Sequence, residues 1–224
     1  MTKCSLLCFI FSLLLLGAVV QSHAQVEFSL GMKAGLNIGT LSFDPDLYEG
    51  STSISKSGVL GFMAGGVAEV GFANMFAVQL EPGYNLKATK WEDTQGGKRT
   101  ISVGVLQIPI LFKAKFLRGP VRPYGFLGPN LGIVLSAKDK IEAQGQTQDT
   151  DVKDQVAGLD FALDFGGGAE FEVGRAVSLT GDIRYSLGLT NLNSPPNTPA
   201  GAQITSVKSR GFQILFGVLF QLAG

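Results

Sequence analysis

Two carboxylates, Asp164 and Asp182, lie on neighbouring segments in which apolar and polar residues alternate. A close pair of carboxyl groups with separated pKa values can carry out general acid–base catalysis. The same groups can instead belong to a buried ionic network, because buried charges are costly unless they are paired. Seven acidic and five basic side chains share the polar faces of such segments. This balance favours a structural network over a catalytic pair.

Nucleophilic and imidazole-based chemistry is poorly supported. The only histidine is His23, and the two cysteines are Cys4 and Cys8, so residues 25–224 contain neither residue type. Histidine is the usual general base and the central member of hydrolase triads. We therefore predict no catalytic residues and no disulfide in this part of the chain.

Metal and phosphate sites are also weakly indicated. Asp149, Asp151 and Asp154 resemble part of a calcium-binding loop, but Asp154 stands where that loop needs glycine, and Asp160 stands where it needs glutamate. The glycines at 166–168 lie within an alternating segment with no helix after it, which does not fit a phosphate-binding loop. We expect no metal and no cofactor.

The element that must position the two carboxylates is a long hairpin running from Leu159 to Leu189. Apolar residues occupy alternate positions in both arms, and only Gly174, Arg175 and Ala176 separate the arms. Period-two alternation predicts strands with one apolar and one polar face, and the short connection predicts an antiparallel hairpin. Each arm is 13 to 15 residues long, whereas a tilted strand needs about 9–11 residues to cross a bilayer.

The same alternation recurs along the whole chain. It predicts an all-β fold, an eight-stranded antiparallel up-and-down transmembrane β-barrel, since only a closed barrel satisfies the edges of a sheet in lipid. The predicted strands are Glu27–Thr40, Gly58–Phe72, Met75–Lys90, Thr100–Leu117, Val121–Ala137, Leu159–Val173, Val177–Leu189 and Val207–Leu222.

Two features of the strands fit this pattern less well. In the fifth strand Leu127 and Leu131 indicate one apolar face, but Tyr124 and Phe126 fall on the other. Three prolines lie inside predicted strands, where each removes a hydrogen-bond donor, and local bulges would accommodate them. These are Pro82, Pro109 and Pro129.

Charged residues are segregated to one face of the predicted strands. Because a Lys or Arg facing lipid at mid-bilayer costs about 2–4 kcal/mol, this segregation places the apolar face toward lipid and the charged face toward the lumen. Eight strands enclose an interior just wide enough for side chains to fill, so we predict a lumen plugged by a charge network. Its members are Lys33, Glu69, Glu81, Lys87, Lys113, Lys115, Asp160, Asp164, Glu170, Glu172, Asp182 and Arg184.

The connections alternate between long and short. Barrels of the outer membrane have short periplasmic turns and longer outer loops, which predicts that both termini are periplasmic. The long connections are then surface-exposed contact loops, at Leu41–Ser57, Lys138–Ala157 and Thr190–Ser206.

The N-terminal segment reads as a signal for export. Lys3 precedes an apolar run from Leu6 to Val20, and Ser22-His23-Ala24 forms a cleavage site of small residues. We therefore predict a signal peptide at 1–24 and a barrel domain at 25–224. Without Lys3, 17 basic residues face 18 acidic ones, and this balance does not indicate a nucleic-acid partner.

Several motifs in the sequence resemble those of the PorT-like outer-membrane β-barrel family of Bacteroidota. The matching motifs are Gly31–Asn37, Gln79–Tyr84, Leu106–Lys113, Tyr124–Pro129 and Ile183–Asn191. The resemblance implies an outer-membrane barrel, and most members have no assigned activity. The founding member is associated with secretion of gliding and protease proteins, but no residue assigns this chain to that role. One departure is the C-terminus, where four residues follow Phe220, whereas barrel C-termini often end on an aromatic residue.

Three functional hypotheses follow from this reading. The first is a non-enzymatic structural or interaction module, with outer-membrane lipid, lipopolysaccharide and the barrel-insertion machinery as its surroundings. The second is a narrow channel for ions or small solutes, and the third is an accessory of a secretion apparatus with an unknown partner. Barrels that act as acyltransferases, lipases or proteases depend on a histidine, so an enzyme is the least favoured interpretation.

Overall fold

The structure is a computed structural model that describes residues 26–44, 54–72, 75–94, 96–117, 119–143, 146–174, 176–191 and 206–223. The signal peptide predicted at 1–24 lies outside these ranges, as do residues 45–53 and 192–205 of two predicted loops. Across the described ranges, no helix is long and apolar enough to cross a membrane.

Strands make up nearly all of the described chain. Besides the strands there is one short 3₁₀ turn, Lys153–Gln155. The strands are β1 (Val26–Asp44), β2 (Ile54–Phe72), β3 (Phe76–Leu80), β4 (Gly83–Asp93), β5 (Lys98–Lys115), β6 (Val121–Ala143), β7 (Gln146–Asp151), β8 (Leu159–Gly174), β9 (Val177–Gly188) and β10 (Ser206–Ala223).

The strands form a closed antiparallel ring. β1 pairs with β2 on one side and with β10 on the other, so the first and last described strands close the sheet. β3 and β4 share one position in the ring, between β2 and β5, and β7 and β8 both pair with β6. The ring therefore has eight positions, which confirms the predicted eight-stranded antiparallel barrel.

The stagger of the strands makes the barrel narrow. The stagger is measured by starting at Lys33 and stepping from each residue to its paired residue on the next strand until β6 is reached. In one direction, through β10, β9 and β8, the path ends at Arg122. In the other direction, through β2, β4 and β5, it ends at Gly132. These end points lie ten residues apart on β6. Such a stagger accompanies strands tilted by about 35–45° and, with eight strands, a lumen that side chains fill.

The apolar side chains face away from the barrel axis. Met32, Leu60, Phe112 and Phe216 are each at least half exposed, and every strand except β4 and β7 carries exposed apolar side chains. The largest fully buried side chains are mostly polar, with Arg184 at their head. This inverted arrangement suits an apolar solvent outside the barrel, where lipid tails replace water.

The third predicted strand is interrupted, which corrects the range Met75–Lys90. β3 ends at Leu80 and β4 begins at Gly83, because Pro82 lacks the N–H that would continue the ladder. The gap is bridged by the Glu81 N–H, which donates to the Pro109 carbonyl at 3.1 Å. The N–H and C=O of one residue point to the same side of a strand. The nitrogen of Pro109, which carries no hydrogen, therefore also faces this gap.

The bulges expected at Pro109 and Pro129 are absent. The β5–β6 register is the same before and after this stretch, with Pro109 opposite Asn130 and Phe112 opposite Leu127. Pro129 lies opposite Leu163 of β8 without a register shift.

The predicted loop at Lys138–Ala157 is mostly strand. β6 continues to Ala143 and pairs with β7, forming a hairpin that precedes the 3₁₀ turn. We call Lys138–Ala143 together with Gln146–Asp151 the projecting hairpin. Alternation of hydrophobicity could not show it, because all six residues of β7 are exposed and polar. β1 and β2 likewise extend into the predicted loop Leu41–Ser57, as far as Asp44 and from Ile54.

Glycines on the inner face permit the close approach of neighbouring strands. A Cβ atom at Gly35 would overlap the carbonyl oxygen of Ile214, and one at Gly128 would overlap that of Ile110. The obstacle in both cases is backbone, which cannot move aside as a flexible side chain can. Inward glycines at such positions allow a sheet to curve into a narrow barrel.

We therefore expect Gly35→Ala and Gly128→Ala each to destabilise the folded barrel by about 1–3 kcal/mol or more, as overpacking against fixed backbone does. The measurement is urea unfolding in lipid vesicles, with heat-modifiable gel mobility as the marker of the closed barrel. Gly158→Ala is the matched control, since nothing lies within 4 Å of a Cβ at that position. Equal stability of all three variants would contradict the role of close strand approach.

Candidate functional site

The charged lumen is the site toward which the strands direct their polar side chains. Because the inner face takes every second residue, charged residues two apart in sequence face the axis together. Eleven of the twelve residues predicted for the charge network are buried. The other is Glu172, whose side chain is 44% exposed; it lies at the lumen mouth on the side of the chain termini.

The centre of the lumen is crossed by a compact group of ion pairs. The Lys33 Nζ lies 2.7 Å from a Glu81 carboxylate oxygen and 2.5 Å from one of Asp182. Arg184 donates from Nη2 to the other Glu81 oxygen at 2.5 Å, and its Nη1 lies 3.8 Å from Asp164. These contacts join β1, the gap between β3 and β4, β8 and β9, so they span the ring from wall to wall.

A second group lies toward the end of the barrel where β1 begins and β10 ends. Glu69 accepts hydrogen bonds from Lys113 at 2.7 Å and from Lys115 at 2.9 Å. Lys115 also lies 3.0 Å from Glu170. The four side chains form an alternating series of charges that connects β2, β5 and β8.

Two members of the network were missed by the sequence analysis. Arg122 pairs with Glu170 at 2.8 Å and with Glu172 at 2.7 Å. Tyr124 donates a hydrogen bond to Asp182, and the Lys113 Nζ lies 4.0 Å from the centre of the Tyr124 ring. The aromatic residues obscured the inner face of β6. Arg122, Tyr124 and the buried Asn130 are an even number of residues apart, and this spacing would have indicated that they share the inner face.

A third group occupies the lumen toward the projecting hairpin. Lys87 lies 3.0 Å from Asp160, and the Ser209 hydroxyl donates to the same carboxylate oxygen at 2.9 Å. Neutral side chains line the wall beside this pair. They form a chain in which the Asn37 amide donates to Asn85 at 2.9 Å and the Asn85 amide donates to Gln107 at 2.7 Å.

Apolar side chains of β5 and β6 pack together in the lumen near the base of the projecting hairpin. A register shift between β5 and β6 leaves Leu135 without a partner and turns Ala137 inward. The segment after β7 packs onto the cluster that results. This apolar cap consists of Val103, Val105, Val134 and Ala137, with Ile101, Val152, Val156 and Ala157 packed against them.

The catalytic alternative for Asp164 and Asp182 finds little support in the geometry. Asp164 accepts a hydrogen bond from Asn130 at 2.9 Å and faces Arg184. Asp182 is held by Lys33 and Tyr124. Arg184 also lies 4.0 Å from Asp182, so both carboxylates are engaged by neighbouring side chains, and both are fully buried.

Metal ligands do not assemble in the described part of the chain. No group of three or more His, Cys, Asp or Glu side chains there is placed to hold an ion. Asp149 and Asp151 lie on β7 and Asp154 lies in the 3₁₀ turn.

Removing one partner of the central group should be costly, because the remaining charges stay buried and unpaired. We expect Glu81→Gln to lower the free energy of unfolding by about 3–5 kcal/mol, the range for broken buried pairs. The measurement is urea unfolding in vesicles. The matched control is Glu142→Gln, which breaks an exposed pair with Lys140 and should leave the midpoint unchanged. Similar midpoints for both variants would show that the central pairs do not stabilise the fold.

Comparison with known proteins agrees with the barrel fold. A family described as "Outer membrane protein beta-barrel domain" matches residues 21–194. The outer membrane protein OprG of Pseudomonas aeruginosa is similar with a TM-score of 0.53 at 12% identity, over 90% of this chain and 97% of OprG. Neisserial surface protein A is similar with a TM-score of 0.45 at 15% identity, over 88% of this chain and 97% of that protein.

No curated protein matches this chain in sequence. At 12% identity the likeness to OprG shows a shared fold alone, whereas the family match covers most of the chain. The chain belongs to the outer membrane protein beta-barrel domain family.

Proposed function

We propose that this protein is a non-enzymatic structural or interaction module of the cell outer membrane, with a closed lumen and a functional surface beyond the bilayer. The observation that carries the proposal is the lumen itself. Ion pairs between Lys33, Glu81 and Arg184 cross its centre, and the apolar cap fills it near the projecting hairpin.

The ion pairs oppose the passage of solutes. An ion entering the centre would have to separate side chains that contact each other at 2.5–2.7 Å. Because these side chains are shielded from water, separating them without new partners is costly. At the other closure the obstacle is apolar, and a hydrated ion would lose its water shell there without polar groups to replace it.

The absence of histidine and cysteine from residues 25–224 supports the non-enzymatic part of the proposal. The buried carboxylates of the lumen lie close to cations, as Glu69 does to Lys113 and Lys115. General acid–base catalysis needs a group within reach of its substrate, and Glu69 is 4% exposed.

Connection lengths support an orientation with both termini in the periplasm. Val26 and Ala223 lie at one end of the barrel together with the strand ends Phe72, Lys115 and Gly174, each of which is separated from the next strand by only a few residues, and the projecting hairpin lies at the other end. Because outer-membrane barrels keep short turns in the periplasm, the hairpin would face the exterior. Lipopolysaccharide and lipid then surround the apolar band, and the insertion machinery acts during biogenesis.

A second candidate function is a narrow channel for ions or small solutes. Charged side chains line the lumen from Arg122 near the termini to Lys87 toward the hairpin, as in a selective pore whose pairs rearrange. The resemblance to the PorT-like family supports a third candidate, an accessory of a secretion apparatus. Co-purification of a secretion complex would distinguish that role.

Planar-bilayer recording tests the closed lumen. We expect the folded wild-type protein to give no stable conductance, because ion pairs and the apolar cap block the lumen. Heat-modifiable mobility of the same sample verifies that the barrel is folded. A stable conductance whose selectivity shifts in Lys113→Met or Glu170→Gln would instead establish the channel.

Cysteine labelling of intact cells tests the orientation, since residues 25–224 contain no native thiol. We expect a membrane-impermeant maleimide to label Thr147→Cys in β7, because that position is exposed on the projecting hairpin. Ala176→Cys, in the short connection between β8 and β9, is the matched control and should react only after lysis. Labelling of Ala176→Cys alone in intact cells would reverse the proposed orientation.

A further inference from the structure

The projecting hairpin stands beyond the apolar band of the barrel. On the outer face of β6, the apolar residues Leu131, Ile133 and Leu135 give way to Lys138 and Lys140. All six residues of β7 are exposed, and in the described ranges this strand pairs with β6 alone. The hairpin therefore places a strand edge in the aqueous phase.

The hydrogen-bonding phase of the hairpin shows which backbone groups form that edge. The Val152 N–H donates to the Ala137 carbonyl at 3.0 Å, so Val152 faces β6. Because successive residues of a strand point their N–H and C=O to opposite sides, Gln148 and Thr150 also face β6. Thr147, Asp149 and Asp151 direct their backbone donors and acceptors away from it.

Within the described ranges no strand covers this edge, because the neighbouring strands end before they reach it. β8 continues the position of β7 in the ring, and its other neighbour, β9, ends at Gly188. β10, by contrast, is paired with β1 as far as Ser206. At the level of β7, the ring position that β9 occupies beside β8 is therefore not filled by any described strand.

Natural edge strands are usually protected by lysine, by proline or by a bulge. β7 has the sequence QTQDTD, with neither lysine nor proline, and its register with β6 is continuous. Six residues in regular geometry are enough for a partner strand to add by main-chain hydrogen bonds, the mode of recognition known as β-augmentation.

The side chains of the edge residues indicate the charge of such a partner. Asp149 and Asp151 lie on one face of the sheet, opposite Lys140 and Lys138. Lys140 is engaged elsewhere, since its Nζ lies 2.6 Å from Glu142, and this hydrogen bond lowers the pKa of the Glu142 carboxyl. An added strand would place its side chains directly against the two aspartates, where opposite charges stabilise and like charges destabilise.

We propose that the free edge of β7 is a docking site for an extended segment of a partner protein that carries basic side chains at alternate positions. The segment pairs its backbone with Thr147, Asp149 and Asp151, and its cations contact the two carboxylates. This inference rests on the proposed function, because it supplies the partner class of the interaction module.

Binding of short peptides to the intact barrel in nanodiscs tests the proposal. The probe is a fluorescent peptide of about eight residues with alternating lysine and threonine, and its control has glutamate in place of lysine. We expect saturable binding of the lysine peptide alone. Asp149→Lys should weaken this binding by about tenfold or more through charge repulsion, whereas Glu27→Lys, the same change of charge at the opposite end of the barrel, should leave it unchanged.

Hydrogen exchange separates strand addition from simple charge attraction. We expect the amides of Thr147 and Asp149 to exchange rapidly in the free protein and to become protected by the lysine peptide. Those of Gln148 and Thr150 should be protected in both states. Peptide binding without new protection, or no peptide binding, would overturn the proposal.

Two further outcomes would also overturn it. Protection of Thr147 and Asp149 in the free protein would mean that this chain, or a second copy of it, already covers the edge. Concentration-dependent dimerisation lost in Asp149→Lys would identify the second copy as the occupant. None of these results depends on conductance, so a failed docking site and an open lumen are distinguishable.

Discussion

The hydrogen bonding of the backbone in lipid is the constraint from which the rest of the molecule follows. In hydrocarbon an unpaired N–H or C=O costs several kcal/mol, so a sheet there must have no open edge. The seam between β1 and β10 meets this requirement, with pairs that run from Phe28 and Ala223 to Asp44 and Ser206. Closing the seam over only eight positions fixes a narrow ring, and a narrow ring demands inward glycines such as Gly35.

The narrow ring in turn decides what charged side chains can do in the lumen. Side chains reach across the narrow interior, since Lys33 contacts carboxylates on two walls and Arg184 is completely buried. Buried ion pairs contribute little net stability compared with apolar residues of similar volume. Their stronger effect is on register, since a slip of one residue would turn Lys33 or Asp182 toward lipid.

Period-two alternation was sufficient to predict the closed ring and the direction of the charged faces, because lipid imposes the same rule on every strand. It was insufficient where a local irregularity changed the phase. The register shift that leaves Leu135 unpaired, together with Tyr124 and Phe126 inside the lumen, obscured the fifth strand and concealed Arg122. The hydrogen bond between the Glu81 N–H and the Pro109 carbonyl forms where Pro82 and Pro109, which are distant in sequence, come close in the fold. The residue pattern along a single strand does not predict such a contact.

The same rule explains why the projecting hairpin escaped prediction. Beyond the apolar band water can bond to backbone and side chain alike, so neither face of a strand needs to be apolar, and β7 is polar on both faces. Freed from the lipid constraint, an edge there can stay unpaired at small cost and remain available to another chain. The requirement that every backbone group be paired, which closes the barrel within the membrane, therefore does not apply to the projecting hairpin.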